Sequence, residues 1–487
     1  MTFIVPPQGD FIAGRFITAS NADSSIVVTS PADTNDHIAT YSVAVQHVFA
    51  AVQAAQDAFK PWRRLSSSAR DDYLRRYQAA LRSHSEAIAQ TITREVGKPI
   101  AEARGEMSAM VNKVDMVLGE GRSWTPDKVL ADLPGHVRHR PLGVVAIIGP
   151  FNFPGHLPNG QIVPALAAGN TIVFKPSERA PGTGAWLAQC ANEAGFPSGV
   201  FNLVQGHAAS AQALVQHDAL SGILFTGSLP VGKAIVAANV ERVGRLIALE
   251  LGGKNASIVL ADANLELAVE QVAFAAFATS GQRCTSTSRV IVADSIVDLF
   301  CEKLVGAVQK LQVGYPFDPS VFMGPVISDA ARAGILHAQT TAVAAGYEPL
   351  LPGRSLEVPG RPGWYLSPSI LRAPADRRHV PGYSDAELFG PDLAVYAAAD
   401  TEDALALAND TPFGLVAAVF TQSQATFEYC ASELEVGAVH WNRSTAGASG
   451  LLPFGGIKQS GNHRPAGILA GQLCAYPQAI LGTTPSA

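Results

Sequence analysis

Hydrophobic positions change their period along this chain. Between residues 68 and 96, Leu74, Tyr77, Leu81 and Ile88 recur at intervals of three, four and seven, the spacing that stacks side chains on one helix face. Residues 45–60 carry the same pattern, Gly97 and Pro99 end the run, and a further helix is expected over 101–118. Upstream, residues 11–17 alternate about Gly14 and Arg15 and predict a small hairpin. From Val144 onward the apolar runs shorten. Val144–Ile148 and residues 171–174 are β-branched stretches bounded by Gly or Pro, with a helical segment between them, and 200–204 and 222–225 repeat the arrangement. Strands alternating with helices predict a parallel, doubly wound α/β sheet. Residues 256–260 and 288–292 begin a second series, hence a second α/β domain. Residues 128–140 alternate weakly and are rich in charge, as in an exposed two-stranded arm, and Ala475–Leu481 predicts a last strand.

Composition narrows the class. A chain of 487 residues is too long for one core and implies two or three domains. Hydrophobic residues at 47% against 16% charged describe a globular protein rather than a disordered one. A net charge of −6 gives no reason to expect a nucleic-acid partner. Residues 1–10 lack the basic start and apolar run of a secretory signal. The best candidate span, 142–153, is cut by Gly149, Pro150 and Asn152, so no membrane association and a cytoplasmic location are expected. The five cysteines, Cys190, Cys284, Cys301, Cys430 and Cys474, are widely spaced, odd in number and without a CxxC pair. Neither a disulfide framework nor a metal site is expected, and a reducing compartment fits best.

Several short segments carry candidate chemistry. Cys284 follows Thr279-Ser280-Gly281-Gln282-Arg283, where Gly281 would let the backbone approach a substrate and Arg283 would favour the thiolate. Taken alone, Cys284 reads first as a structural thiol. Glu250 ends an apolar run before Leu251-Gly252-Gly253 and reads equally as a buried general base or as a cap for the glycines. Asn152, between Phe151 and Phe153 after the Val144–Ile148 strand, offers a donor to a developing oxyanion, though alone it reads as a turn residue. Gly227 and Ser228, with Gly232 closing a GxxxxG spacing, present backbone N–H groups and a hydroxyl to a pyrophosphate. Lys175, Ser177 and Glu178 at a strand end suit ribose hydroxyls or an exposed loop pair, and Glu387 and Phe389 offer a carboxylate and an aromatic plate.

The order and spacing of these segments resemble the aldehyde dehydrogenase family over nearly the whole chain, including Ala58-Phe59, Trp62, Arg70 and Glu95-Val96-Gly97-Lys98-Pro99. The resemblance implies two doubly wound α/β domains plus a small β oligomerisation arm. An NAD(P)-binding domain would span 1–122 and 143–249, and a catalytic domain 250–450. An arm would combine 123–142 with 470–487, and 451–469 would return to the cofactor domain. It implies a homodimer or homotetramer whose C-terminal strand completes a neighbour's sheet. It also implies that Cys284 attacks a small-molecule aldehyde, Asn152 holds the oxyanion and Glu250 activates the water that releases a free acid rather than a CoA thioester. Lys175, Ser177 and Glu178 would hold the adenosine ribose, Gly227, Ser228 and Gly232 the pyrophosphate, and Glu387 the nicotinamide ribose beside Phe389. Glu178 favours NAD, and Lys175 keeps NADP open.

Residues 155–166 and Gly461-Asn462-His463-Arg464-Pro465 look like the N-succinylglutamate 5-semialdehyde dehydrogenase branch, which implies an anionic semialdehyde whose carboxylate Arg443 could meet. Leu251, Lys254, Ser286, Arg443 and Phe151 depart from that branch. The alternatives are a broad-specificity aldehyde dehydrogenase and a catalytically silent NAD-binding protein on the same fold. A thiol hydrolase would need a Cys–His pair, which no motif offers.

Overall fold

The computed structural model describes residues 3–129 and 134–482. Parts of the expected arm, 130–133 and 483–487, lie outside the described residues.

Every residue of Val144–Ile148 and of Thr171–Lys175 is buried. That is what a parallel sheet covered by helices on both faces requires. The first sheet runs Leu246–Glu250, Leu220–Thr226, Val144–Ile148, Thr171–Lys175, Phe201–Leu203, and then the antiparallel hairpin Asp10–Ile12/Arg15–Ile17. The second runs Glu348–Leu351, Ser369–Arg372, Asp392–Ala398, Thr287–Ala293, Asn255–Val259, Val416–Phe420 and Ala438–Trp441. Its first strand is antiparallel to the second and the rest are parallel. The two doubly wound α/β layers predicted from the alternating runs are therefore present.

The helical stretch over 68–96 is two helices. Ser66 caps the first, its Oγ accepting the Ala69 N–H at 3.1 Å. Ser67–Ser83 then ends at His84, whose φ of −97° and ψ of 10° break the path before Ser85–Val96. The apolar spacing runs on across this break, so periodicity cannot reveal it. Gly97, at φ +73°, closes the second helix, in the left-handed conformation where glycine carries no Cβ penalty.

The C-terminal strand spans Ala475–Leu481, as predicted. It pairs antiparallel with Gly135–Pro141 of its own chain, from Ala475 opposite Pro141 to Leu481 opposite Gly135, and Lys128–Val129 adds a third strand. The arm is thus three-stranded, and one edge of the tail is satisfied within the chain rather than by a neighbour. Before it, residues 460–462 bond to the last strand of the first sheet. Asn462 accepts the Leu249 N–H at 2.7 Å, Ser460 O accepts the Leu251 N–H at 2.9 Å, and Gly461 bridges Glu250. Gly461 and Asn462 accordingly serve as the rail that holds the Glu250 strand. Among the described residues no helix is long and apolar enough to cross a membrane.

Candidate active site

Four neighbouring parallel strands end together. Ile148 lies opposite Lys175 and Phe225, and Thr226 lies opposite Glu250. Ligands of open α/β sheets bind in the crevice beyond such carboxyl ends. The loops that leave them deliver Asn152, Ser177 with Glu178, and Gly227 with Ser228, while Glu250 is itself a terminal strand residue. A cavity of about 770 Å³ opens here, walled by Lys175, Ser177, Glu178, Gly227 and Ser228. Asn152, Glu250, Cys284, Glu387 and Phe389 also face it. A second cavity, of about 850 Å³, is walled by one face of the helix Ile100–Leu118 together with Phe153, His156 and Arg283. Cys284 lines both, so the thiol stands where two cavities meet. The other four cysteines are buried and line neither.

The turn that carries the thiol is strained and heavily braced. Thr279, Ser280 and Gly281 have φ of 55°, 57° and 70°, and the first two are costly for residues with a side chain. The Glu102 carboxylate repays this by accepting the Thr279 N–H at 3.0 Å and the Thr279 hydroxyl. Ser280 donates to Gly324 O at 2.8 Å, and Gln282 Oε1 accepts the Ile327 N–H at 2.9 Å. Asn255 Nδ2 donates to the carbonyls of Cys284 and Ser286 at 2.7 and 2.9 Å. Gly281 has a different purpose from the one its sequence position suggests. A Cβ there would strike the Gly390 carbonyl, so the close approach is to the 387–391 loop and not to a substrate. Arg283 is also a brace: its guanidinium donates to Glu102 at 2.6 Å and to Thr279 Oγ1 at 2.7 Å. Burial pushes the Cys284 thiol well above its ordinary pKa, Glu250 and Glu387 add to the rise, and Arg283 opposes it.

Asn152 is buried and donates one amide hydrogen to Gln282 O at 2.9 Å, which fixes its plane and leaves a second N–H. Its loop is pinned from below by Glu106, which the sequence did not flag, and by Lys98, to which it assigned no role. Glu106 Oε1 accepts the Gly155 and His156 N–H groups at 3.0 and 2.9 Å, capping the next helix, and its Oε2 pairs with the buried Lys98 at 2.5 Å. Lys98 in turn lies 3.5 Å from the centre of the Phe153 ring. Glu106 reads in sequence as one more charge on a helix, and only the fold shows that it is buried.

Glu250 is 1% exposed, and neither carboxylate oxygen has a hydrogen-bond partner among the described residues. Burial raises its pKa well above the carboxylate range. The cap alternative falls away, because the Gly253 N–H donates to Glu387 Oε1 at 3.1 Å instead. Glu387 packs so closely on Gly252 that a Cβ there would strike its carboxylate. Burial lifts Glu387 to about 7 against the pull of that N–H and of Lys254. Phe389, at φ +53°, sets its ring edge-on to Phe151 at 5.7 Å.

Burial lowers the Lys175 ammonium to about 8, partly offset by Glu178, and its Nζ donates to Pro176 O at 2.9 Å. Ser228 precedes the nine-residue helix Leu229–Ala237 and makes no capping bond, so its hydroxyl and the helix N-terminus both face the cavity unspent. This donor set fits a dinucleotide: a helix end for a pyrophosphate, and a lysine and a carboxylate for ribose hydroxyls. Two expected residues do not join. Gly232 is absent from the cavity wall, and a Cβ on it would press on the Leu251 side chain, so it serves helix–strand packing. Arg443 is exposed and lines a separate cavity of about 740 Å³ with Lys303 and Glu266, away from Cys284. Among the described residues no three His, Cys, Asp or Glu side chains cluster as metal ligands would.

Comparison with known proteins agrees with this geometry. The N-succinylglutamate 5-semialdehyde dehydrogenase of Chromobacterium violaceum is 41% identical over 475 residues, covering 97% of this chain and 96% of that one. The protein of the same name from Hahella chejuensis is 43% identical over 435 residues, 88% of this chain and 87% of the relative. The structure of betaine aldehyde dehydrogenase from Staphylococcus aureus in complex with NAD+ superposes with a TM-score of 0.93 at 29% identity, over 99% of this chain and 96% of that one. The description of the aldehyde dehydrogenase family matches residues 16–478, and with these relatives at more than 40% identity the chain belongs to the aldehyde dehydrogenase family.

Proposed function

We propose that this enzyme oxidises a carboxylate-bearing semialdehyde, of the N-succinylglutamate 5-semialdehyde kind, to the free acid with NAD+. The observation that carries the reading is the position of Cys284, shared by the cavity whose donors fit a dinucleotide and by the second cavity, a tunnel for substrate, with Asn152 and a Glu250 that has no hydrogen-bond partner among the described residues facing the first. The relatives of that name support the substrate class, and the unesterified product follows from the base.

In this scheme the Cys284 thiol releases its proton to solvent, the thiolate Sγ forms a bond to the aldehyde carbon, and the carbonyl π pair moves to oxygen. The second N–H of Asn152 meets that oxyanion, a contribution of about 3 kcal/mol for one such donor. Bound NAD+ supplies the acceptor for the hydride that leaves the same carbon, which becomes a thioester on Cys284. Glu250 takes a proton from a water, the hydroxide adds to the acyl carbon, the C–S bond breaks and the thiolate is restored. Lys175, Ser177 and Glu178 hold the adenosine ribose, Gly227 and Ser228 the pyrophosphate, and Glu387 the nicotinamide ribose, with Phe389 beside the ring. Glu178 accepts a ribose 2′-hydroxyl and repels a 2′-phosphate. A steady-state screen of semialdehydes and simple aldehydes with both cofactors tests this: kcat/KM is highest for a carboxylate-bearing semialdehyde with NAD+. A simple aldehyde as the best substrate would overturn the substrate class, and faster turnover with NADP+ the cofactor assignment.

The exposed apolar side chains of the arm, Val129, Tyr476 and Leu481, support a homodimer or homotetramer built through its free edges. Light scattering on the eluted protein is expected to give two or four times the 50.9 kDa chain mass, and a single chain mass would exclude it.

A further inference from the structure

The tunnel that ends at Cys284 carries many charges, and almost all are already spent. Glu102 is neutralised by Arg283, Glu106 by Lys98 and Asp115 by Arg75. Glu120 is exposed. His156 is held neutral, because burial drops its pKa to about 4. Lys113 is different. It occupies the tunnel face of the helix Ile100–Leu118, at the i+7 position from Glu106, and is 6% exposed. Among the described residues its ammonium makes one hydrogen bond, 3.0 Å to the Gly467 carbonyl, and pairs with no carboxylate. A buried cation with one neutral partner out of three donors is costly unless something else pairs with it.

We infer that Lys113 is a specificity-determining residue that grips a carboxylate on the substrate's tail while the aldehyde end reaches Cys284. This rests on the substrate class proposed above and assigns to Lys113 the contact expected of Arg443. Gly160 stands beside Lys113 without a side chain, and Lys113 Cε, at 3.9 Å, is the nearest atom to a Cβ built there. His156 lines the tunnel beside it, with an Nδ1 that has no partner among the described residues. The titratable groups facing Lys113 from the packed elements are His156 and Cys474, and Glu106 lies on its own helix. Burial pushes the Cys474 thiol up to about 12 and brings Lys113 itself down to about 8. With no carboxylate paired to Lys113 among the described residues, an incoming carboxylate would supply that partner, and binding would favour the charged form of the amine.

The test compares N-succinylglutamate 5-semialdehyde with pentanal, which has no carboxylate, for the wild type, Lys113→Met and Lys113→Arg. In Lys113→Met, kcat/KM for the semialdehyde should fall about 30-fold or more, through KM, while pentanal changes less than about threefold; Arg should restore part of the loss. A second readout needs no variant. The folded pKa is depressed, so the cation is present below about pH 8 and lost above it. The wild-type KM for the semialdehyde should rise roughly tenfold per pH unit beyond that point, and the KM for pentanal should not. If the wild type prefers the semialdehyde but Lys113→Met keeps the preference, or both substrates suffer alike, the role of Lys113 is overturned and the substrate class stands. If the wild type shows no preference, both fall. Should the Met variant not fold, a pH-independent semialdehyde KM alone rejects the assignment.

Discussion

Cys284→Ala should lower NADH formation by at least about 10⁴-fold while leaving the affinity for NAD+ within about twofold of the wild type. The size of the effect follows from the absence of a substitute. Cys190, Cys301, Cys430 and Cys474 are buried elsewhere, and no second thiol lines either cavity. The selectivity follows from the architecture. The cofactor cavity is formed by strand ends and by the Leu229–Ala237 helix, none of which depends on the thiol. The turn is braced through Glu102, Asn255, Gln282 and Gly324, with bonds to backbone and to Thr279 that an alanine at 284 leaves in place. Single-turnover kinetics and calorimetric titration with NAD+ check the two halves. Retention of even a tenth of the wild-type rate would mean that another group attacks the aldehyde.

Much of this site was legible in the chain, for different reasons at different places. The strand-end positions of Asn152, Lys175, Glu178 and Gly227 followed from apolar runs stopped by Gly or Pro, because a parallel sheet both buries its strands and ends them abruptly. Cys284 was not legible from its neighbours. A thiol three residues after a glycine has no local signature, and only the order of the other segments made it a candidate nucleophile. Nor could sequence assign Arg443, Arg283 and Lys113 their roles. Three basic residues look alike on paper, but one lines another cavity, one is spent bracing a turn, and one stands in the tunnel with no carboxylate partner among the described residues. Gly281 was likewise credited with letting a substrate approach, and Gly232 with a share in the pyrophosphate turn. Each instead makes room for protein, the Gly390 carbonyl and the Leu251 side chain. A glycine's lack of a side chain is visible in sequence, and what fills the space is not. The Ser24–Ser30/Asp33–Val43 hairpin was missed for a similar reason. It buries one alternate face, Ile26 and Val28 against Ala39, Tyr41 and Val43, within an otherwise polar stretch.

Glu250→Gln should separate the two halves of the cycle. The variant is expected to release about one NADH per site in a burst and then to turn over some 10²–10³-fold more slowly, because in the proposed scheme acylation of Cys284 precedes the step that needs a base. The isosteric amide fills the same buried space, so the fold should tolerate it. The acidity of the site gives the sign of the pH effect. Burial disfavours the charged carboxylate and raises its pKa. The base is therefore available only above that raised value, and wild-type turnover should climb with pH through it and fall away as pH drops. The Gln variant should lose this inflection. Coupling to the thiol gives an independent check. The Glu250 charge is one of the influences holding Cys284 above its ordinary pKa, so removing it should let the thiolate form at lower pH. Alkylation of Cys284 by iodoacetamide should then be faster in Glu250→Gln than in the wild type at the same alkaline pH. A variant without a burst would place Glu250 before hydride loss, as the base for the thiol. A variant with undiminished steady turnover would show that water reaches the thioester without it.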